Sequence, residues 1–226
     1  MTFSLVGRCG RTGMVGAIVS SSSPAVAARC VHVRAGIGAA CTQNITDPRL
    51  GPALLDALAA GDSADEAMAR VTAGHALIGF RQLTVVDREG RSAVFSGDRV
   101  LGGTHTAHAS DVAAAGNLLA TPDVIDAMVA GFCERPDQHI GDRLIAALQA
   151  GMAEGGEAGP VNSAGLLIAG EVAWPIADLR VDWSESDNPV GELTKLWRLW
   201  RPQIDDYVNR ALDPERAPSY GVPGDL

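Results

Sequence analysis

The sequence lacks the features that mark several large classes of protein. It has no excess of basic residues: the formal net charge is −9 at pH 7. Nucleic acids and anionic membrane surfaces both bind basic surfaces, so neither is an expected partner. No apolar run approaches the length of a membrane span. The opening residues show no basic segment followed by an apolar one, so we predict no secretory signal and expect a cytoplasmic protein.

Common catalytic and cofactor-binding motifs are also missing. The chain contains no P-loop, no Rossmann glycine pattern, no HExxH and no GxSxG, which removes the main support for nucleotide, zinc-protease and α/β-hydrolase chemistry. The four cysteines are far apart and form no CxxC pair, so we interpret them as small buried thiols. His105 and His108 would point to opposite faces of a strand. We therefore predict neither a metal nor a cofactor.

What the sequence does contain is a series of paired strand-like runs. With 226 residues and 46% hydrophobic content, the chain can bury a substantial core. Several apolar runs are separated by short turn sequences, which is typical of β-hairpins and therefore of antiparallel pairing. The hairpin turns are Gly10-Arg11-Thr12-Gly13, Ala35-Gly36 and Arg88-Glu89-Gly90, and further strands are predicted at residues 104–109, 163–169 and 172–182.

Helical patterns occur in pairs between these blocks of strands. Leucines from Leu50 to Leu58 repeat at helical spacing, and Ser63 with Glu66 forms a capping-box pattern. A second pair follows Pro122, and a third follows Asn188. Two stacked antiparallel sheets, each covered by a helix pair, would bury all these apolar faces. The predicted fold is α+β, with one domain over residues 1–213 and a Pro/Gly-rich tail over residues 214–226.

Several motifs match the landmarks of a known family in order. They are Thr2-Phe3-Ser4-Leu5-Val6, Ala35-Gly36-Ile37-Gly38-Ala39 with Thr42-Gln43, Gly116-Asn117-Leu118-Leu119, and Asp178-Leu179-Arg180-Val181-Asp182 with Asn188-Pro189-Val190-Gly191-Glu192-Leu193. Together they resemble the DUF1028 family, whose name records an unknown function. That family is similar in fold to the N-terminal-nucleophile (Ntn) hydrolases, so the resemblance implies a four-layer αββα sandwich. It implies chemistry only by analogy.

Thr2 is the candidate nucleophile. A second residue this small normally allows removal of the initiator methionine, which would leave Thr2 with a hydroxyl and a free α-amine. The amine can accept the hydroxyl proton near neutral pH, so the two groups form a nucleophile with its own base. The competing interpretation is a β-forming residue on an edge strand whose hydroxyl faces solvent. If Met1 is retained, the amine is acylated and cannot act as a base.

Other polar residues are candidates for binding or for stabilising charge. Asn117, read here as part of a turn-like segment, is the candidate oxyanion donor; it could equally form an Asx turn that starts the next helix. The remaining candidates for substrate binding are Ser4, on the same strand face as Thr2, Ser22 in a run of four serines, Gln43, Asn44 and Arg180. Each also has a structural interpretation, and for Arg180 an ion-pair ladder with its neighbouring aspartates is favoured.

Two functions follow from this pattern. The first is an Ntn-type amide hydrolase that acts through Thr2 on a small polar, anionic metabolite. The second is a non-catalytic, homo-oligomeric protein that binds a small molecule and retains the same fold. For the second function, Trp183, Trp197 and Trp200 would supply a surface for self-association, because large aromatic side chains are enriched at interfaces.

Overall fold

The structure, a computed structural model, describes residues 1–222 of the chain. Ten strands lie within these residues and pair only in antiparallel fashion. They are β1 (Thr2–Arg8), β2 (Val15–Ser21), β3 (Val31–Arg34), β4 (Gly38–Asn44), β5 (Arg81–Asp87), β6 (Ser92–Ser96), β7 (His105–Ala109), β8 (Val112–Asn117), β9 (Ser163–Ala169) and β10 (Pro175–Val181). One sheet has the order β10-β9-β2-β1-β8-β7, and the other has the order β3-β4-β5-β6.

The same residues contain seven α-helices, of which five connect strands and two follow β10. They are α1 (Ala27–Cys30), α2 (Leu50–Ala59), α3 (Ala64–Thr72), α4 (Asp123–Cys133), α5 (Ile140–Ala153), α6 (Pro189–Trp200) and α7 (Ile204–Leu212). The predicted capping box is confirmed: the Ser63 hydroxyl accepts from the Glu66 amide, and the Glu66 carboxylate accepts from the Ser63 amide. Asn188 caps α6, and Pro189 is its first residue, as the Asn-Pro pattern indicates.

The two sheets pack against each other through small side chains. Val6, Val19 and Ala113 of the six-stranded sheet share one buried cluster with Ala39 and Cys41 of the four-stranded sheet. Alanine and glycine dominate β8, and the predicted hairpin strand β4 is similarly rich in small residues. Small side chains allow two sheets to approach closely, because less volume separates the backbones.

The other face of each sheet is covered by helices. Residues of β1 and β2 such as Phe3 and Ile18 form one cluster with Met128 of α4 and Leu144 of α5. On the four-stranded sheet, Leu83 packs with residues of α2 and α3. The structure is thus a mixed α+β fold with two antiparallel sheets, as the hairpin pattern predicted.

The segment that ends in Asn117 differs from the prediction. Residues 112–117 form β8, a fully buried strand, rather than a turn-like segment before a helix. The sequence Val-Ala-Ala-Ala-Gly-Asn has few residues with high β-propensity, and for that reason the pattern concealed the strand. Pairing with β1 on one side and β7 on the other determines its conformation instead.

The tryptophan prediction is wrong for Trp197, and Trp200 is partly buried. Trp197 is 2% exposed, and its indole N–H donates to Asp142 at 2.8 Å. The Trp200 indole donates to the carbonyl of Ile176 and packs against the same core. Trp183, in contrast, is 55% exposed. Trp197 and Trp200 lie on one face of α6, as the helical periodicity indicates, and that face packs on the sheet.

The predicted tail lies partly within the described part of the chain. Up to Val222 it has no helix or strand, and Arg210 of α7 donates to the Pro218 carbonyl. The Arg210 guanidinium also lies over the ring of Tyr220. The last four positions of the predicted tail, residues 223–226, lie outside the described residues. Within residues 1–222, the helices are all too short or too polar to cross a membrane.

Candidate active site

Thr2 is the first residue of β1, an interior strand of the six-stranded sheet. Strand β1 lies between β2 and β8, so the edge-strand interpretation of Thr2 is wrong. Thr2 is directly opposite Asn117 in the pairing with β8. On the other side, the register that pairs Phe3 with Ser20 places Ser21 beside Thr2. Because cross-strand neighbours share a face of the sheet, the side chains of Thr2, Ser21 and Asn117 are adjacent, and all three are at most 5% exposed.

Two hydroxyl groups hold the carbonyl that precedes Thr2. The Thr2 hydroxyl and the Ser21 hydroxyl both donate to the carbonyl oxygen of Met1. The two hydroxyl oxygens lie 3.2 Å apart. An amide carbonyl therefore lies next to the Thr2 oxygen, and Ser21 is placed to polarise it. The sequence analysis assigned Ser22 rather than Ser21 from the serine run.

A separate network of amide side chains begins at Ser4, on the same strand face as Thr2, and extends into the space between the sheets. The Ser4 hydroxyl donates to Gln43 at 2.6 Å, and the Gln43 side-chain amide donates to Gln82 Oε1 at 2.7 Å and to the Ala115 carbonyl at 3.0 Å. Gln82 donates in turn to the Gly116 carbonyl at 2.9 Å. These bonds join β4 and β5 of one sheet to β8 of the other.

Asn117 is part of this network but does not contact the Met1 carbonyl. Its Nδ2 donates to Gln82 Oε1 at 3.2 Å. Its Oδ1 is buried and has no hydrogen-bond partner among the described residues. A buried acceptor without a donor is unfavourable, so Oδ1 is a place where a bound donor would be stabilised.

Glu157 lies against Ser22, next in sequence to Ser21, and no motif in the sequence pointed to it. It is 4% exposed, and its two carboxylate oxygens accept from the Ser22 amide at 3.1 and 3.2 Å. Burial raises the pKa of this carboxyl group to about 7, while the positive charge at the amino end of Met1 acts in the opposite direction. Glu157 is therefore a carboxyl group that changes its charge near neutral pH.

The loop that carries Glu157 is fixed by backbone bonds. The Ala158 amide donates to the Leu118 carbonyl at 2.9 Å, and the Ala120 amide donates to the Gly156 carbonyl at 3.0 Å. Gly155 and Gly156 have φ values of +106° and +59°, which other residues rarely adopt. These bonds hold the glycine-rich loop against the segment that follows β8. They place its acidic side chain, Glu157, beside Ser22, directly after β2.

Three other predicted site residues, Ser22, Asn44 and Arg180, make their contacts away from Thr2. Ser22 contributes its backbone amide to Glu157, and its carbonyl accepts from Asn162 at 3.0 Å. Asn44 has a left-handed backbone (φ 74°) and closes a loop by donating to the Phe80 carbonyl and accepting from the Leu101 amide. Arg180 lies on β10, three strands from β1, and makes a two-oxygen contact with Asp182 at 2.9 Å. It does not join the Thr2 group.

A large cavity lies at the opposite end of β1. It has a volume of about 820 Å³ and is lined by Cys9, Met14 and Ile140 together with residues of α7 such as Ile204 and Val208. Cys9 is seven residues from Thr2, or about 23 Å along a strand. Thr2 lines neither this cavity nor the two smaller cavities of about 220 and 430 Å³ in the described part of the chain. The Met1 carbonyl lies against the Thr2 and Ser21 hydroxyls.

Comparison with known families places the chain. The model of a family of unknown function, DUF1028, matches residues 2–193. The chain belongs to the DUF1028 family. The match begins at Thr2 and includes Ser21, Asn117 and Glu157, so the whole candidate site lies within the DUF1028 part of the chain. The resemblance found from the sequence motifs is confirmed.

Solved structures agree with this assignment. Protein SPO2555 from Silicibacter pomeroyi, also assigned to DUF1028, is 27% identical, covers 92% of each chain and superposes with a TM-score of 0.81. Anbu (ancestral beta-subunit) from Yersinia bercovieri is 11% identical, with 91% of this chain and 97% of that one covered and a TM-score of 0.41. Anbu from Hyphomicrobium sp. strain MC1 has 12% identity, coverages of 92% and 98%, and a TM-score of 0.39. These two scores are too low to define a fold. No curated protein matches the sequence significantly.

Proposed function

We propose that this DUF1028 protein is an Ntn-type amide hydrolase that uses Thr2 as its nucleophile. The observation that carries the proposal is the pair of hydroxyl groups, from Thr2 and Ser21, that donate to the same amide carbonyl oxygen. The proposal includes an αββα arrangement of four layers. The packing of helices on the outer face of each sheet supports this arrangement.

The reaction requires that the bond between Met1 and Thr2 is broken in the working protein. The freed α-amine then accepts the proton of the Thr2 hydroxyl. The Thr2 oxygen attacks the carbonyl carbon of a substrate amide, a C–O bond forms, and the C–N bond breaks as the amine passes its proton to the leaving nitrogen. Water hydrolyses the resulting ester, which releases the acid and restores the hydroxyl.

Ser21 has the geometry to stabilise the oxyanion in this scheme. Its hydroxyl already donates to a carbonyl oxygen beside Thr2, whereas the Asn117 amide donates to Gln82 instead. Loss of one such donor commonly lowers kcat by about 10²- to 10³-fold. The predicted role of Asn117 as oxyanion donor would require its side chain to turn away from Gln82. Its unpaired Oδ1 is better suited to accept a hydrogen bond from a bound amine or amide.

The test begins with the state of the amino terminus. Protein freed of Met1, as verified by intact mass, is screened against a panel of amide substrates and treated with an electrophile that labels N-terminal threonine. We expect labelling at Thr2, loss of turnover in Thr2→Ala, partial retention in Thr2→Ser, and a large loss in Ser21→Ala. Ser110→Ala, on an exposed turn, is the control. Full activity in Thr2→Ala, or in protein that retains Met1, would exclude this nucleophile.

A second function, binding of a small molecule without catalysis, is favoured by the large cavity. The space of about 820 Å³ is within the range of ligand sites, and its lining combines apolar residues such as Ile176 and Ile204 with the imidazole of His139. Under this proposal the protein keeps Met1 and forms a homo-oligomer. Intact mass and light scattering test both parts, because a trimmed monomer would contradict them.

A further inference from the structure

Met1 occupies the space in which an acyl group on Thr2 would lie. Its carbonyl oxygen accepts from the Thr2 and Ser21 hydroxyls. An acyl group bonded to the nitrogen of Thr2 and one bonded to its oxygen are held by two atoms of the same residue, so they fill nearly the same volume. We propose that the site accepts an α-aminoacyl group, with a free ammonium beside the scissile carbonyl and an unbranched apolar side chain. This inference rests on the proposed function and specifies its substrate class.

Glu157 is the partner for the ammonium group. Its carboxylate is 4% exposed, and the Ser22 amide is its one hydrogen-bond donor among the described residues. Burial removes the hydration of a carboxylate, and one neutral hydrogen-bond donor offsets only part of that free-energy cost. The charge at the amino end of Met1 already acts on Glu157 in this structure. A substrate ammonium in the same place would supply the missing opposite charge.

Gly159, from the same loop, makes room for the acyl side chain. A Cβ atom at this position would lie 3.3 Å from Cε of Met1 and 3.9 Å from its sulfur. The glycine therefore leaves space along the end of an unbranched side chain, and a methyl group there would crowd it. One loop thus provides both the carboxylate and the contact with the side chain.

The charges around Thr2 disfavour the anionic metabolite expected from the sequence. Arg180, the cation assigned to that role, is three strands away and bonded to Asp182. Within residues 1–222, the side chains that hydrogen-bond around Thr2 are serine, asparagine, glutamine and glutamate, with no lysine or arginine. A substrate carboxylate would find no lysine or arginine among these side chains, and ionised Glu157 would repel it.

The test uses protein freed of Met1 and four aminocoumarin amides: L-methionyl, N-acetyl-L-methionyl, L-alanyl and succinyl. We expect kcat/KM to be at least about tenfold higher for L-methionyl than for its N-acetyl form, because acetylation removes the positive charge that interacts with Glu157. Glu157→Gln should bring this ratio close to one. The exposed Glu154→Gln, from the same part of the chain, should leave it unchanged. Gly159→Ala should lower the methionyl-to-alanyl ratio about threefold or more.

The outcomes separate this inference from the proposed function. Hydrolysis that favours the acetylated or succinyl amide, or a preference that Glu157→Gln does not change, would overturn the aminoacyl assignment and leave Thr2 as the nucleophile. If no amide is hydrolysed and Thr2 resists labelling, the proposed function fails. In that case, calorimetry measures whether trimmed Thr2→Ala protein binds L-methioninamide more tightly than N-acetyl-L-methioninamide. Equal or absent binding overturns the inference, and a preference for the free amine that depends on Glu157 supports it.

Discussion

Replacing Glu157 with glutamine should change how the stability of the protein depends on pH. The carboxyl group is 4% exposed and accepts only from the Ser22 amide among the described residues. Glutamine has nearly the same shape and can accept that hydrogen bond through its own oxygen. The substitution therefore removes the ionisation and leaves the packing almost unchanged.

The size of the effect follows from the difference between the folded and unfolded pKa. Burial raises the pKa of Glu157 from an ordinary value of 4.5 to about 7. Between these values the folded protein holds a proton that the unfolded chain has released, so the free energy of unfolding falls as the pH rises. The stabilising contribution is complete below pH 4.5 and is lost as the pH passes 7. At about 1.36 kcal/mol per pH unit, the loss is at most about 3 kcal/mol.

Urea unfolding at several pH values from 4 to 8 measures this difference. Wild type, Glu157→Gln and Glu154→Gln are compared after mass spectrometry shows that all three have the same amino terminus. We expect Glu157→Gln to gain stability relative to wild type as the pH rises, by up to about 3 kcal/mol, and Glu154→Gln to run parallel to wild type. A constant difference between Glu157→Gln and wild type from pH 4 to 8 would refute the account of Glu157 as a buried group that ionises near neutrality.

Two further predictions concern the core and the thiols. Leu54→Ala should lower the free energy of unfolding by about 2–5 kcal/mol, because Leu54 is fully buried, whereas Leu199→Ala, at 66% exposure, should change it by less than about 0.5 kcal/mol; similar losses in denaturant titrations would contradict the assigned burial. A thiol reagent should modify one cysteine of the native chain, Cys133, and all four in urea, because the other three are buried and burial raises the pKa of Cys41 to about 12. Rapid reaction of two or more native thiols, counted by mass, would show that the core is more open.

Local signals in the sequence predicted most of the elements. The turns after β1, β3 and β5 contain glycine, and the left-handed backbones of Gly13, Gly36 and Gly90 explain why these hairpins need it. The capping box of α3 and the Asn-Pro start of α6 are equally local. Each depends on residues within a few positions of each other, so a single sequence is sufficient to identify them.

The residues of the site could be predicted only in part. Asn117 and Glu157 are positioned by contacts between segments that are distant in the sequence. Ser21 could have been found from the first hairpin: the turn at residues 10–13 sets a register in which it lies beside Thr2. Glu157 gave no such signal. It reaches the Ser22 amide because its loop bonds to Leu118 and Ala120, just after a strand that the sequence concealed. Without β8, neither Asn117 nor Glu157 could be positioned.

The glutamine pair between the sheets has a mechanical consequence. The buried cluster between the sheets consists of alanine, valine and cysteine, so no large buried side chain of that cluster fixes the alignment of the two sheets. Gln43 and Gln82 each reach from the four-stranded sheet to a backbone carbonyl of β8, at 3.0 and 2.9 Å. Any slip would break both bonds and leave buried amides unpaired. The two glutamines thus fix the alignment of the two sheets near the end of β1 at which Thr2 lies.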